Sequence, residues 1–553
     1  MGEKSETPKR HCWECLRRCV VCDSTRPGCN RCAAAGSVCP GYGDVKPTRL
    51  VWLAPGKVKS RVRRRKGSSA LSAEPTEFRG HVHPNPASAA HAYPSDVPGL
   101  VYQSIPRFGV DTDADAMVHA AEYYNTCIYQ DLVPLRELGD HPGIYRISPS
   151  LVRESISLPD YLQLGMLCMA LSHRMNRIWG DPQVNHKALA ERFYTHRGNA
   201  IRSLRELLNQ ESHRTSDVVI AGIVTLLLVD LQQGASLNWR PHVEGAIKLI
   251  QLRGGFAALA DFKTLEPQLL FLCFMAVLGN TTCPASDLSM TPAHLAALDV
   301  ILRSTLAPFQ MCPTPLFGEI IRINHLRLRA TTPTTPPNPN PKPTPAHLTL
   351  EAHQIHSHIL TFSPSHWAAT KPRAREDWAL AGRIYHAAVA LYWASALQSA
   401  GVLVPTPALR VECAAHARLL QSLLARGVAS SRIWLCMLWP LVVLGVQAAG
   451  GGGGGGGGAR GDGDGDGCGG GVGVVPVRDF VAAQLPMLAR RGGTYAPLVA
   501  KGVLERFWAS GETRWDACFD RPYAFVMQIA VDMSRITSPS PPGEGPVPAR
   551  GSP

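Results

Sequence analysis

The sequence predicts a large all-α body behind a small cysteine-organised module, with unstructured insertions and an unstructured tail. Three observations carry this. Seven of the 16 cysteines crowd between Cys12 and Cys39. Beyond residue 107, apolar residues recur at spacings of three and four while alternating, strand-like runs are nearly absent. The 45 Pro and 50 Gly gather in a few stretches rather than spreading evenly. At 553 residues the chain can bury a sizeable core and hold more than one folded unit. Its hydrophobic content of 45% and mean hydropathy of −0.04 are those of a soluble protein.

The first element spans residues 12–39. Six cysteines form two copies of C-x2-C-x6-C: Cys12, Cys15, Cys22 and Cys29, Cys32, Cys39. A C-x2-C pair at a helix start presents two thiolates to one metal, and tetrahedral zinc needs four ligands. Three thiolates per half are one too few, but two zincs are both satisfied if two of the six sulfurs bridge. Few apolar residues are available here beyond Trp13, Leu16, Val20, Val21 and Val38. Metal must therefore supply the folding free energy, about 10–16 kcal/mol in small zinc peptides. The first 20 residues are charged and lack an apolar core, so no secretory signal is expected, and a reducing compartment favours metal over disulfides.

The run from Cys12-Trp-Glu-Cys15 through Pro27-Gly-Cys29-Asn-Arg-Cys32 to Cys39-Pro-Gly-Tyr42 resembles the fungal binuclear zinc cluster family. The resemblance implies two structural zinc ions, held by Cys12, Cys15, Cys22, Cys29, Cys32 and Cys39 with Cys12 and Cys29 bridging, and places Pro27 in the loop between the halves. It also implies a nuclear regulator of transcription that contacts double-stranded DNA at CGG-like triplets through the end of the first helix. Of the family's basic positions there, Leu16, Arg18, Cys19 and Val21 here, only Arg18 keeps a base-reading side chain. Arg17 and Arg18 are the candidate DNA contacts. Cys19 is either an exposed thiol or a spare ligand or redox-sensitive thiol whose pKa the two arginines lower. An alternative follows: an interaction protein with a degenerate cluster that needs a partner regulator for sequence readout.

Residues 40–66 form a basic extension. Residues 1–66 carry 16 Lys and Arg against five acids, so nearly all of the chain's net +13 sits at this end. Lys57, Lys59, Arg61, Arg63, Arg64, Arg65 and Lys66 read as phosphate contacts and as a nuclear localisation signal. No heptad repeat follows, so dimerisation is not evident. Residues 67–106, rich in Ser, Pro, Ala and His, read as a disordered linker.

Residues 107–536 are expected to be one helical domain. Helical periodicity marks Met117–Leu132, Tyr161–Met175, Leu189–Leu208, Val218–Leu231, His242–Leu252 and Leu265–Leu278. It returns at Trp378–Leu397, Ala408–Leu424, Arg432–Val446, Phe480–Leu488 and Tyr523–Ile536. Flexible insertions are expected at 331–345 and 450–471, and a disordered tail at 537–553. The apolar runs Val218–Val229 and Trp434–Val446 fall short of the roughly 20 residues that span a bilayer, so no membrane partner is expected. Trp239-Arg-Pro-His242-Val-Glu-Gly245-Ala with Arg253-Gly254-Gly255, and Tyr123-Tyr-Asn125, resemble the fungal-specific transcription factor domain, which implies that the helical domain is regulatory.

Enzyme signatures are weak and no catalytic residue is assigned. His353, His356 and His358 lack a carboxylate at zincin spacing and read as solvated. Asp462-Gly-Asp464-Gly-Asp466 opens like a calcium loop but has Gly473 where a bidentate Glu is required.

Overall fold

The computed structural model describes residues 12, 14–15, 22–41, 113–139, 144–155, 158–178, 186–211, 213–234, 239–255, 266–289, 312–332, 345–449 and 475–527. They divide between two compact units, Met1–Pro98 and Gly99–Pro553. In the first, the described residues centre on a short helix, α1 (Asn30–Ala34), and the buried cysteines.

The second unit is all-α among its described residues. Its first helices are α2 (Asp113–Tyr123), a π-helical turn (Tyr124–Ile128), α3 (Tyr129–Leu132) and α4 (Pro149–Ser155). Then come α5 (Asp160–Arg177), α6 (His186–Leu208), α7 (Asp217–Gln233), α8 (Trp239–Leu252) and α9 (Glu266–Thr281). The second half holds α10 (Thr314–Thr331), α11 (Pro345–Thr361), α12 (Pro364–Ala369), α13 (Arg375–Ser399) and α14 (Pro407–Ala429). It ends with α15 (Leu438–Gln447), α16 (Val477–Gly492) and α17 (Ala496–Ser510).

Helices α7, α13 and α15 are apolar on nearly every side and form the interior; α10, α11, α12, α14 and α15 pack around α13. A separate small cluster, built on Met117, Tyr123, Val152 and Leu167, lies beside the main core. No helix among the described residues is long and apolar enough to cross a membrane.

Four expectations are corrected. Residues 523–527 are extended, not helical, because Tyr523, Phe525 and Met527 alternate into the core while Tyr523 exchanges bonds with Thr282, N to O at 3.0 Å and Thr282 Oγ1 to O at 2.7 Å. The helix expected over Arg432–Val446 is broken into a 3-10 turn, Trp434–Cys436, and α15, with Met437 between them. His356 is packed, not solvated: its ring stacks on Trp393 at 4.0 Å and bonds Glu412 at 3.0 Å. The insertion expected over 331–345 begins later and ends earlier, since Thr331 closes α10 and Pro345 opens α11; residues 333–344 lie outside the described residues, as do 450–471, 67–106 and 537–553.

Candidate metal centre

Cys29 caps α1 with its own sulfur, which accepts from Cys32 N at 3.3 Å, so the second C-x2-C pair presents both sulfurs on one side of a helix start. The first half repeats this, with Cys15 N donating to Cys12 Sγ at 3.3 Å. The match extends to the third cysteine of each half: Cys12 N approaches Cys22 Sγ at 3.5 Å and Cys29 N approaches Cys39 Sγ at 3.4 Å. Equal spacing in sequence thus becomes an approximate two-fold arrangement in space. The connecting loop carries Asp23, whose carboxylate accepts from Asn30 N at 3.0 Å and fixes the start of α1. Sequence reasoning passed over Asp23; its position directly after the third cysteine is the available signal.

The sulfurs converge. Cys12 Sγ lies 3.6 Å from Cys29 Sγ and 3.7 Å from Cys32 Sγ, Cys15 Sγ lies 3.6 Å from Cys29 Sγ, and Cys39 Sγ lies 4.0 Å from Cys29 Sγ. A disulfide needs about 2.05 Å. A tetrahedron of thiolates about 2.3 Å from zinc has edges of about 3.8 Å, which these separations match. Cys12, Cys15, Cys29 and Cys32 form one group of potential ligands, and Cys22, Asp23 and Cys29 a second, so Cys29 belongs to both. Burial pushes the Cys12, Cys15 and Cys32 thiols up. At Cys39 burial acts the same way, but the N–H groups of Cys29 and Gly41 outweigh it and the thiol titrates low. Enclosed sulfurs this close can ionise together only around a cation, and the donor set fits zinc.

Arg17, Arg18, Leu16, Cys19 and Val21 lie outside the described residues, as do Lys57, Lys59, Arg61, Arg63, Arg64, Arg65 and Lys66. Arg26 and Arg31 are exposed beside the cluster, so the described part of this unit also presents cations to solvent.

In the helical unit the signature residues perform packing. Trp239 opens α8, is buried, donates to Pro522 O at 3.3 Å and covers Gly279, where a Cβ would lie 2.5 Å from its ring. His242 faces the buried Asp230 at 3.7 Å, and Arg197 grips the same carboxylate at 2.5 and 2.7 Å, which ties α6, α7 and α8 together. Burial lowers the His242 pKa, with Asp230 opposing. Arg253 pairs with Asp217 at the start of α7, and Gly254 and Gly255 take the positive φ values, 96° and 86°, with which the chain leaves α8.

Residues 120–520 match the family described as "Fungal specific transcription factor domain". The chain is also similar to the phomenoic acid biosynthesis cluster-specific transcriptional regulator of Leptosphaeria maculans, 42% identical over 543 residues that cover 96% of this chain and 92% of that protein. No solved structure matches it.

Proposed function

Because the chain belongs to the fungal specific transcription factor domain family, as a regulator of transcription and not an enzyme, we propose that it acts on DNA through its N-terminal cysteine cluster. Cys12, Cys15, Cys22, Cys29, Cys32 and Cys39 hold two structural zinc ions, with Cys12 and Cys29 shared between them. The observation that most supports this is the paired geometry of the two cysteine triplets around sulfurs 3.6–4.0 Å apart. When bound, zinc supplies folding free energy and no open coordination position.

Arg17 and Arg18 approach the bases, and Lys57, Lys59, Arg61, Arg63, Arg64, Arg65 and Lys66 neutralise phosphates in an extension spanning 40–66. The module is 12–39, the linker 67–106 and the regulatory domain 107–536. The reading places the protein in the nucleus. The relative's name concerns a biosynthetic gene cluster, and we infer a target of that kind here.

The test is selection of duplexes from a randomised pool by the full zinc-loaded chain at physiological salt. Enrichment of CGG-like triplets supports direct readout. Salt-sensitive binding with no enrichment favours the second reading, suggested by Leu16, Cys19 and Val21, in which a partner regulator chooses the site. Undiminished binding after complete zinc removal overturns both.

A further inference from the structure

Within the helical unit, between the small apolar cluster of Met117, Tyr123, Val152 and Leu167 and the main core, lies a cavity of about 190 Å³. Its outer wall comes from α2, the π-helical turn, α4 and α5. Its inner wall comes from Thr225, Leu228 and Gln232 of α7, with Trp434, Leu435 and Thr494. We propose that this cavity is a binding site for an uncharged, largely apolar small molecule bearing one hydroxyl group.

Size and lining argue for an occupant. Protein interiors hold few voids larger than a water molecule, and a 150 Å³ apolar cavity is known to take up benzene. Three methionines, Met117, Met166 and Met169, line the space, and their flexible thioethers reshape around differing apolar bodies. Tyr124 and Ile128, the first and last residues of the π-helical turn, also line it. Such turns interrupt regular hydrogen bonding and are frequent at functional sites. Asn125 of the same turn holds the segment at 144–148 by two bonds to Ile147, Nδ2 to O at 2.9 Å and Oδ1 from N at 2.8 Å. Tyr145 and Ile147 of that segment complete the wall.

The polar groups select the ligand's head. Gln232 donates one of its two amide N–H groups to Met169 O at 2.9 Å and carries Oε1 as an acceptor, and Thr494 Oγ1 donates to Gln232 O at 3.5 Å. His173 is enclosed, bonded to Tyr123 at 3.0 Å, and held uncharged by burial with a pKa of about 3. Asp131 and Glu154 line the cavity; among the described residues no Lys or Arg does. Arg177 is taken up by Asp131 at 2.5 Å, and Arg491 lies over Trp434 and donates to Val428 O. A hydroxyl finds acceptors there, whereas a carboxylate meets Glu154 and an Asp131 that already holds its own cation.

The experiment is calorimetric titration of the full zinc-loaded chain, without DNA, with 2-naphthol, naphthalene and 2-naphthoate. The chain should bind 2-naphthol, a ligand of this size, with a Kd on the order of 0.1 mM. Naphthalene should bind about 3- to 10-fold more weakly for want of the hydrogen bond, and 2-naphthoate at least about tenfold more weakly. Ala170→Leu, which fills the cavity, should abolish saturable binding, and Thr494→Val should narrow the margin of 2-naphthol over naphthalene. If Ala170→Leu does not fold, Ala121→Leu fills the same space from α2. No saturable binding of 2-naphthol, equal binding by a folded cavity-filling variant, or preference for 2-naphthoate overturns the proposal. Because no DNA is present, failure here is distinct from failure of the DNA-binding reading.

Discussion

Arg327 is fully enclosed and yet charged, so its partners decide whether α10 can sit where it does. Its guanidinium donates to Asn280 O at 3.1 Å, Cys283 O at 3.2 Å, Tyr392 Oη at 3.0 Å and Asp516 Oδ1 at 2.5 Å. Asp516 in turn accepts from Ser399 Oγ at 2.7 Å. Arg327→Met leaves Asp516 without its cation and two carbonyls without donors, and should cost about 3–5 kcal/mol in denaturant unfolding; a loss below about 1 kcal/mol would remove Arg327 from this role. Lys371 gives a second residue-scale test. Buried between Trp367 and Trp378, at 4.5 and 4.8 Å from their rings, it is pulled down by burial from 10.5 to about 8. Between those values the unfolded chain still holds a proton that the folded chain has released. Folded stability relative to Lys371→Met should therefore be flat below pH 8 and rise above it, by up to about 1.4 kcal/mol per pH unit. Unfolding of both proteins at pH 7.5, 8.5 and 9.5 reads this, and a constant difference would contradict it.

Among the elements, the C-terminal cap of α16 separates backbone strain from crowding. Gly493 has φ of +54°, and a Cβ there would lie 2.3 Å from the His173 ring; Gly511, after α17, has φ of +73° and open space. Gly511→Ala should cost about 1–2 kcal/mol from the left-handed backbone alone, and Gly493→Ala distinctly more, read from paired denaturant melts. Equal losses would mean that His173 moves freely aside. What the sequence made legible at this scale follows the same physics. Long amphipathic or wholly apolar segments such as α5, α6, α7 and α13 announced themselves, because burial on a 3.6-residue period leaves its mark in composition. Helices α10, α11, α12 and α17 did not. Each has proline in its first turn, where the missing N–H has no intrahelical partner to lose, so a proline that reads as the edge of a connector also opens a helix; α14 opens on Pro407 as well and was legible only through the longer apolar period behind it. In α12 and α14 the preceding Ser363 and Thr406 complete the start by accepting from His366 N and Leu409 N. The extended stretch at 523–527 escaped for the opposite reason. Five residues of alternating burial are too short to outvote the apolar run behind them. The cavity left no trace in the sequence, since its wall is assembled from helices far apart along the chain.

At the scale of the whole molecule, two units draw on different sources of stability. Among the described residues of the first, the buried ones are the cysteines, and a segment of this size cannot support itself by apolar burial. The second has a core of several helices in which none of the described cysteines joins a metal-ligand group. Chelation should therefore abolish DNA binding while leaving the main thermal transition of the helical unit in place; a chelator that melts both would show that the body depends on the metal. The charge distribution gives a further test. The excess of cations lies in residues 1–66, so the salt dependence of DNA affinity should be set almost entirely there. Each neutralised phosphate contributes about −0.9 to the slope of log K against log salt. Replacing Arg63, Arg64, Arg65 and Lys66 with Ala should make that slope shallower by about 3–4, measured by fluorescence anisotropy across a salt series. Because phosphate contacts carry no sequence information, the same variant should lose affinity about equally for selected and scrambled duplexes. A loss confined to the selected duplex would instead place the extension among the base-reading residues and leave Arg17 and Arg18 a smaller share of the readout.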